Sequence, residues 1–264
     1  MRYFLIALQF LTILPIKIKG EIKKEDFGKS CAYFPFVGML IGLLLTLSLF
    51  AFGFLPHLVA SVLILIISII ISGGIHLDGF ADTCDGFYAG KTPPLKVSGG
   101  SIPVDNSKEK ILEVMRDSRI GVMGVIGVVS LMLLKFSLIA STSSFILWKL
   151  LIVMAVFERW SQALACYLSV YARKEGKAKY FVEYAGRKEL FIGGLITLAS
   201  FLFLMNIKGL FMFTFSLFPI FLFINYAKKK IGGMTGDTIG AVNEIAEQKK
   251  IVFMITADSR QDAY

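Results

Sequence analysis

From residue 34 to residue 55 the chain holds no charged residue. A helix of that length reaches across a hydrocarbon core about 30 Å thick, where each backbone N–H and C=O must be satisfied within the segment itself. Further runs of comparable character cover residues 58–74, 120–140, 144–169, 190–207 and 210–227. The last apolar stretch, 235–256, is long enough to cross but carries Asp237, Glu244, Glu247, Lys249 and Lys250. The expectation is an all-α, polytopic integral membrane bundle of six to seven transmembrane helices, forming a single domain over residues 1–264. Residues 3–16 are apolar but short, and Lys17, Lys19 and Glu21 follow instead of a small-residue cleavage site. They read as an N-terminal interfacial or re-entrant helix and not as a signal peptide.

Composition agrees, with 56% hydrophobic residues, 24 Phe and a net charge of +9. The basic excess sorts by loop. Loops beginning near Pro15, Gly86, Tyr171 and Lys228 hold nearly all the Lys and Arg, whereas the turns at Pro56, Ser141 and Asn206 hold only Lys208. By the positive-inside rule the basic loops face the cytoplasm of a prokaryotic cell and its membrane's anionic headgroups. No basic patch interleaved with aromatics points to nucleic acid. Cys31, Cys84 and Cys166 have neither CxxC nor Cys/His spacing, so no disulfide framework or zinc site is expected.

Directly after the second apolar run stands GGIHLDGFADTCDG, residues 73–86. On a helix Asp78, Asp82 and Asp85, at i, i+4 and i+7, fall on one stripe within about 60°. Like charges so placed repel, and a hard divalent cation relieves the repulsion; an oxygen-only set suits Mg²⁺, which completes its shell with water and substrate phosphate. A solvated acidic face at a helix end is the plainer reading of the same spacing. A second Gly-Gly pair, Gly232-Gly233, precedes Asp237 and Glu244 far along the chain. Two such groups on the same membrane face point to one site built from both ends.

Other residues are candidates on weaker grounds. His76 stands two residues before Asp78, where contact with substrate is one reading of it. Arg116 and Arg119 form an Arg-x-x-Arg pair suited to phosphate oxygens, with membrane anchoring as the alternative. Glu158 and Arg159 lie well inside the run 144–169, a depth at which ionisable groups usually face a cavity.

Several ordered segments together resemble the cobalamin synthase family, the adenosylcobinamide-GDP ribazoletransferases. They are ALQFLTILP, YFPFVGMLIG, GGIHLDGFADTCDG, MRDSRIGVMG, ERW with its following YAR, and TGDTIGAVNEIAE. The resemblance spans nearly the whole chain; residues 92–106 depart from it by being longer than the short basic linker expected there. It implies that a ribose hydroxyl of α-ribazole, or of its 5'-phosphate, attacks the cobinamide-linked phosphorus of adenosylcobinamide-GDP and releases GMP. Mg²⁺ on Asp78, Asp82 and Asp85 would then serve the diphosphate, with Arg116 and Arg119 as clamps. Asp82 is in that scheme also catalytic, and Asp237 and Glu244 either complete the metal shell or accept the hydroxyl proton. A CDP-alcohol phosphotransferase and a cation-coupled transporter using Glu158, Asp237 and Glu244 as a relay are the competing readings; the oligomeric state, homo-oligomer or monomer, stays open.

Overall fold

The computed structural model describes residues 1–91 and 107–258, with side chains to residue 247. The longer loop at residues 92–106 lies outside the described residues. Everything described is helical apart from short connections: α1 (Arg2–Leu11), α2 (Lys24–Ser30), α3 (Phe34–Ala51), α4 (His57–Ser72), α5 (Ile75–Ala89), α6 (Ser107–Val114), α7 (Val122–Ser141), α8 (Ser144–Leu168), α9 (Lys179–Tyr184), α10 (Arg187–Ile231) and α11 (Gly236–Asp258). Residues 24–51 (α2 and α3 together), α7 and α10 are long and apolar enough to cross a membrane, and α4 with α5 adds a fourth crossing if the bent pair counts as one. Among the described residues three to four candidate spans stand by length and composition, where the apolar runs suggested six to seven.

The packing centre is α8. Its residues Leu150, Val153, Val156, Phe157, Ala163 and Cys166 are all buried, and α3 lies along it through Gly38-x-x-x-Gly42. A Cβ on Gly38 would stand 2.2 Å from the Ala155 carbonyl oxygen, and one on Gly42 2.6 Å from the Ile152 Cα. The two backbones therefore touch only because those side chains are absent, a means of gaining dispersion contact where lipid removes any hydrophobic drive between helices. The outer faces carry exposed Leu47, Phe50, Val122, Leu133, Phe203 and Phe211. Exposed apolar groups in that density are what lipid-facing surfaces show.

Two corrections to the linear reading concern the glycine pairs. The second apolar run does not carry the acids straight on: Gly73 and Gly74 both take left-handed φ, +63° and +69°, and α5 leaves α4 at 88°. Only glycine adopts two consecutive such conformations without strain. Residues 86–89, expected in a loop, continue α5. At the second pair, Gly232 ends α10 with φ +76°. Gly233 then admits the Val170 carbonyl, which a Cβ there would meet at 2.3 Å.

Helix α10 reverses direction inside its span. Asn206 has φ 54° and ψ −145°, and the rings of Phe201 and Phe213 lie 5.8 Å apart. Twelve residues of continuous helix would hold them about 18 Å apart. The Asn206-Ile207-Lys208-Gly209 turn is therefore a hairpin bend, closed by Gly209 against the Phe201 carbonyl.

Candidate active site

Helices α5 and α11 cross at small residues. A Cβ on Gly79 would sit 2.8 Å from the Asp237 Cα, and one on Gly240 3.2 Å from the His76 Cα. That crossing sets the first turn of α11, and with it Asp237, against the acidic stripe of α5. The charges that bear on Asp82 are those of Asp78, Asp237 and Asp85, opposed by Arg173. The α11 N-terminus is fixed by a reciprocal cap: the Thr238 N–H donates to the Thr235 hydroxyl at 3.2 Å, and the Thr235 N–H donates to the Thr238 hydroxyl at 2.8 Å.

Opposite these acids stands a short backbone pairing. Tyr171 and Met234 form a parallel bridge, with the Met234 N–H on the Val170 carbonyl at 2.9 Å and the Ala172 N–H on the Met234 carbonyl at 2.8 Å. It delivers Arg173 to the site, where Nη2 lies 2.8 Å from the Asp237 carboxylate. Beside this pair opens a cleft of about 530 Å³, lined by Gln9, Thr12, His76, Asp78, Gln162, Tyr171, Arg173, Lys177 and Asp237. Burial pushes the Tyr171 phenol up, so it stays a neutral hydroxyl. The cleft thus carries both carboxylates, Asp78 and Asp237, and cations, Arg173 and Lys177, in a volume suited to a nucleotide-sized ligand.

Asp85 faces elsewhere. Its two oxygens accept the backbone N–H groups of Gly121, at 2.7 Å, and Gly124, at 2.8 Å, at the start of α7. A carboxylate at a helix N-terminus meets both the free N–H groups and the positive end of the dipole. Glu244 is also apart from the cleft acids. It sits two turns deeper on α11, buried, with Lys135 Nζ 2.6 Å away; Lys135 also pairs with Glu247. Arg159 bonds Asn243 and lies 3.7 Å from Glu158. These groups surround a cavity of about 40 Å³, room for a water molecule. His76 lies between this interior cluster and the cleft, 3.3 Å from the Gln162 amide nitrogen.

A model of the family described as cobalamin-5-phosphate synthase matches residues 3–98 and 100–256. The chain belongs to that family. Among relatives named adenosylcobinamide-GDP ribazoletransferase, one from Clostridium acetobutylicum is 36% identical over 247 residues, 92% of each chain. One from Acetivibrio thermocellus is 35% identical over 93% of this chain and 94% of its own, and one from Geotalea daltonii 33% identical over 98% and 99%. No solved structure matches.

In this cobalamin-5-phosphate synthase family member the expected residues other than Asp85, which closes the start of α7, fall into three places. Asp78, Asp237 and His76 line the cleft, and Asp82 follows Asp78 by one turn of α5, outside that lining; Glu158, Arg159 and Glu244 belong to the interior network, their charges answered by Lys135 and one another; Arg116 and Arg119 are exposed and outside the cleft lining. Arg116 reaches the cleft only through its charge, which acts on Tyr171. The Arg119 guanidinium is held by Asp117, at 2.7 Å, and in turn holds that carboxyl down to about 2. Arg173, Tyr171 and Lys177 were not singled out as site residues. The signal was the YAR segment itself, absorbed into a loop whose other Lys and Arg read as membrane anchoring.

Among the described residues no three His, Cys, Asp or Glu side chains are gathered into a coordination shell by themselves. Mg²⁺ does not need one, because it takes one or two carboxylates and fills the rest with water and phosphate oxygens. Asp78 and Asp82, a turn apart on α5 and with Asp237 across the Gly79 crossing, fit such an ion. Asp85, with both oxygens engaged by α7, fits less well.

Proposed function

We propose that the protein joins adenosylcobinamide-GDP to α-ribazole, or to its 5'-phosphate, releasing GMP, at a Mg²⁺-dependent site on α5 and α11. The observation that carries this reading is the crossing at Gly79, which sets Asp237 of α11 against the Asp78/Asp82 stripe of α5 and opposite Arg173. Family membership favours it over a CDP-alcohol phosphotransferase or a cation-coupled transporter. We place the site at the cytoplasmic face of the prokaryotic membrane. The spans are α3, α4, α7, α8 and the two arms of the α10 hairpin, with α11 as a seventh segment.

In this reaction the ribose hydroxyl oxygen bonds to the cobinamide-linked phosphorus, and that phosphorus separates from the bridging oxygen, which leaves with GMP. Mg²⁺, when bound by Asp78 and Asp82, supplies charge neutralisation on the diphosphate. The chain does the positioning. Arg173 and Lys177 offer donors to phosphate oxygens from the cleft lining, and the exposed Arg116 and Arg119 meet the incoming anion. The hydroxyl proton passes to a carboxylate of the cleft wall; Glu244, closed in with Lys135, is not placed to take it. A cleft of about 530 Å³ holds a nucleotide-sized portion of the substrate, so the corrinoid ring remains outside, against the membrane surface.

Purified protein in detergent or vesicles, given Mg²⁺, adenosylcobinamide-GDP and α-ribazole, should form cobamide and GMP in equal amounts. Chelation should stop the reaction and added Mg²⁺ restore it. Folded protein that releases no GMP, or that takes up an ion-coupled solute instead, would contradict the assignment, and turnover indifferent to chelation would remove the metal.

A further inference from the structure

The Arg173–Asp237 pair is close yet poorly directed. Nη2 is 2.8 Å from the Asp237 oxygen, but neither Nε nor Nη2 makes a hydrogen bond of acceptable geometry, although both atoms are buried. A guanidinium has five donors in a planar fork; the Arg173 side chain lines the cleft, and its enclosed Nε and Nη2 protons are left without an acceptor there. The backbone that carries it is pinned by the Tyr171–Met234 bridge, so a change of partner falls to the side chain alone. Asp237 is similarly held, by the Thr235–Thr238 cap and by the Gly79 crossing, and it feels the negative charge of Asp78. Each partner therefore satisfies the other incompletely, and each faces a ligand that would suit it better. A diphosphate offers Arg173 a bidentate acceptor, and a hard cation offers Asp237 an oxygen-ligand position.

From this geometry we propose that Arg173 is an exchangeable counter-ion. Without a diphosphate it neutralises Asp237 and holds that carboxylate away from the divalent ion. When the diphosphate arrives, Arg173 transfers to its oxygens and Asp237 joins Asp78 and Asp82 at the metal. The inference rests on the function proposed above, and it adds a binding role for Arg173 and an order to assembly: divalent ion and diphosphate bind cooperatively because one residue blocks the first until it is claimed by the second. Linkage requires the effect to be reciprocal. The device also keeps a cleft lined by two carboxylates, Asp78 and Asp237, from filling with metal in the absence of substrate.

The test is Mn²⁺ binding to the full-length protein, followed by electron paramagnetic resonance, with and without GDP as the diphosphate probe. For the native protein, GDP should tighten Mn²⁺ binding by about tenfold or more, within the usual range of coupling between sites. Arg173→Ala should bind Mn²⁺ about tenfold more tightly than the native protein without GDP, bind GDP more weakly, and lose most of the coupling. Arg173→Lys, which keeps the charge and loses the fork, should hold Mn²⁺ affinity low without GDP and show reduced coupling. A residue of purely structural importance would lower the unfolding midpoint and would not raise metal affinity. The exchange is overturned if Arg173→Ala, or Arg173→Lys where the alanine variant does not fold, leaves both Mn²⁺ affinity and its GDP dependence as in the native protein. Native protein that binds no Mn²⁺ under either condition would instead remove the metal reading on which the exchange depends.

Discussion

Asp85 accepts the backbone N–H of Gly124 at 2.8 Å, so the last acid of the α5 stripe closes the start of α7. A Cβ on Gly124 would stand 2.4 Å from that carboxylate and 3.1 Å from the Ala81 carbonyl. Gly124→Ala should therefore lower stability by about 1–3 kcal/mol, the usual cost of overpacking, seen as a lower unfolding midpoint in detergent. Asp85→Asn should cost a similar amount, through a charged hydrogen bond worth about 1.5–3 kcal/mol, and keep most turnover. Were Asp85 a metal ligand, Asp85→Asn would abolish turnover and leave the midpoint unchanged.

The crossing of α5 over α11 depends on Gly79. Gly79→Ala places a methyl 2.8 Å from the Asp237 Cα, and the helices must separate. A displacement near 1 Å at a reacting centre costs about 100-fold in rate. Turnover should fall on that order while the protein still inserts and unfolds cooperatively; unchanged turnover would mean the two helices do not share a site.

Lys135 is buried between Glu244 and Glu247. Removing one partner from such a cluster typically costs about 3–5 kcal/mol, because the remaining charges stay buried without compensation. Lys135→Met should lower the unfolding midpoint sharply, and adding Glu244→Gln with Glu247→Gln should recover much of the loss. If the triple variant is no better than Lys135→Met, the cluster is not governed by charge pairing.

Single cysteines in a background lacking Cys31, Cys84 and Cys166 test the span count. In intact cells, impermeant maleimide should label position 206, at the α10 bend, and positions near the His57–Thr142 contact, where the α3–α4 and α7–α8 turns meet at 3.1 Å. Positions 177 and 119 should be shielded until the membrane is opened. Labelling of 177 from outside would reverse the orientation proposed for the cleft.

What the linear sequence disclosed follows from which forces are local. The stripe of Asp78, Asp82 and Asp85 was legible because helical periodicity fixes it without reference to the rest of the fold, and the bend at Asn206 because turn residues interrupt an uncharged run. The separate use of Asp85 was not legible, since it depends on two glycines of α7 brought up by tertiary packing. The 88° bend at Gly73–Gly74 was hidden because hydropathy measures how apolar a segment is, and direction leaves no trace in it. Glu244 looked like part of the same acidic group as Asp237 because both follow one Gly-Gly pair; two helical turns, about 10 Å, carry it to Lys135 instead. Arg173 was masked by chemistry it shares with every anchoring Arg in a basic loop.

A double-mutant cycle on Asp82 and Asp237, read as GMP release from adenosylcobinamide-GDP and α-ribazole, tests most directly whether α5 and α11 build one site. Groups acting as a unit give strongly non-additive losses. Asp82→Asn and Asp237→Asn should each lower turnover by about 100-fold or more, and the double variant should be little worse than the weaker single. Losses that multiply across the two positions, or either single variant at native turnover in a folded protein, would contradict a shared site.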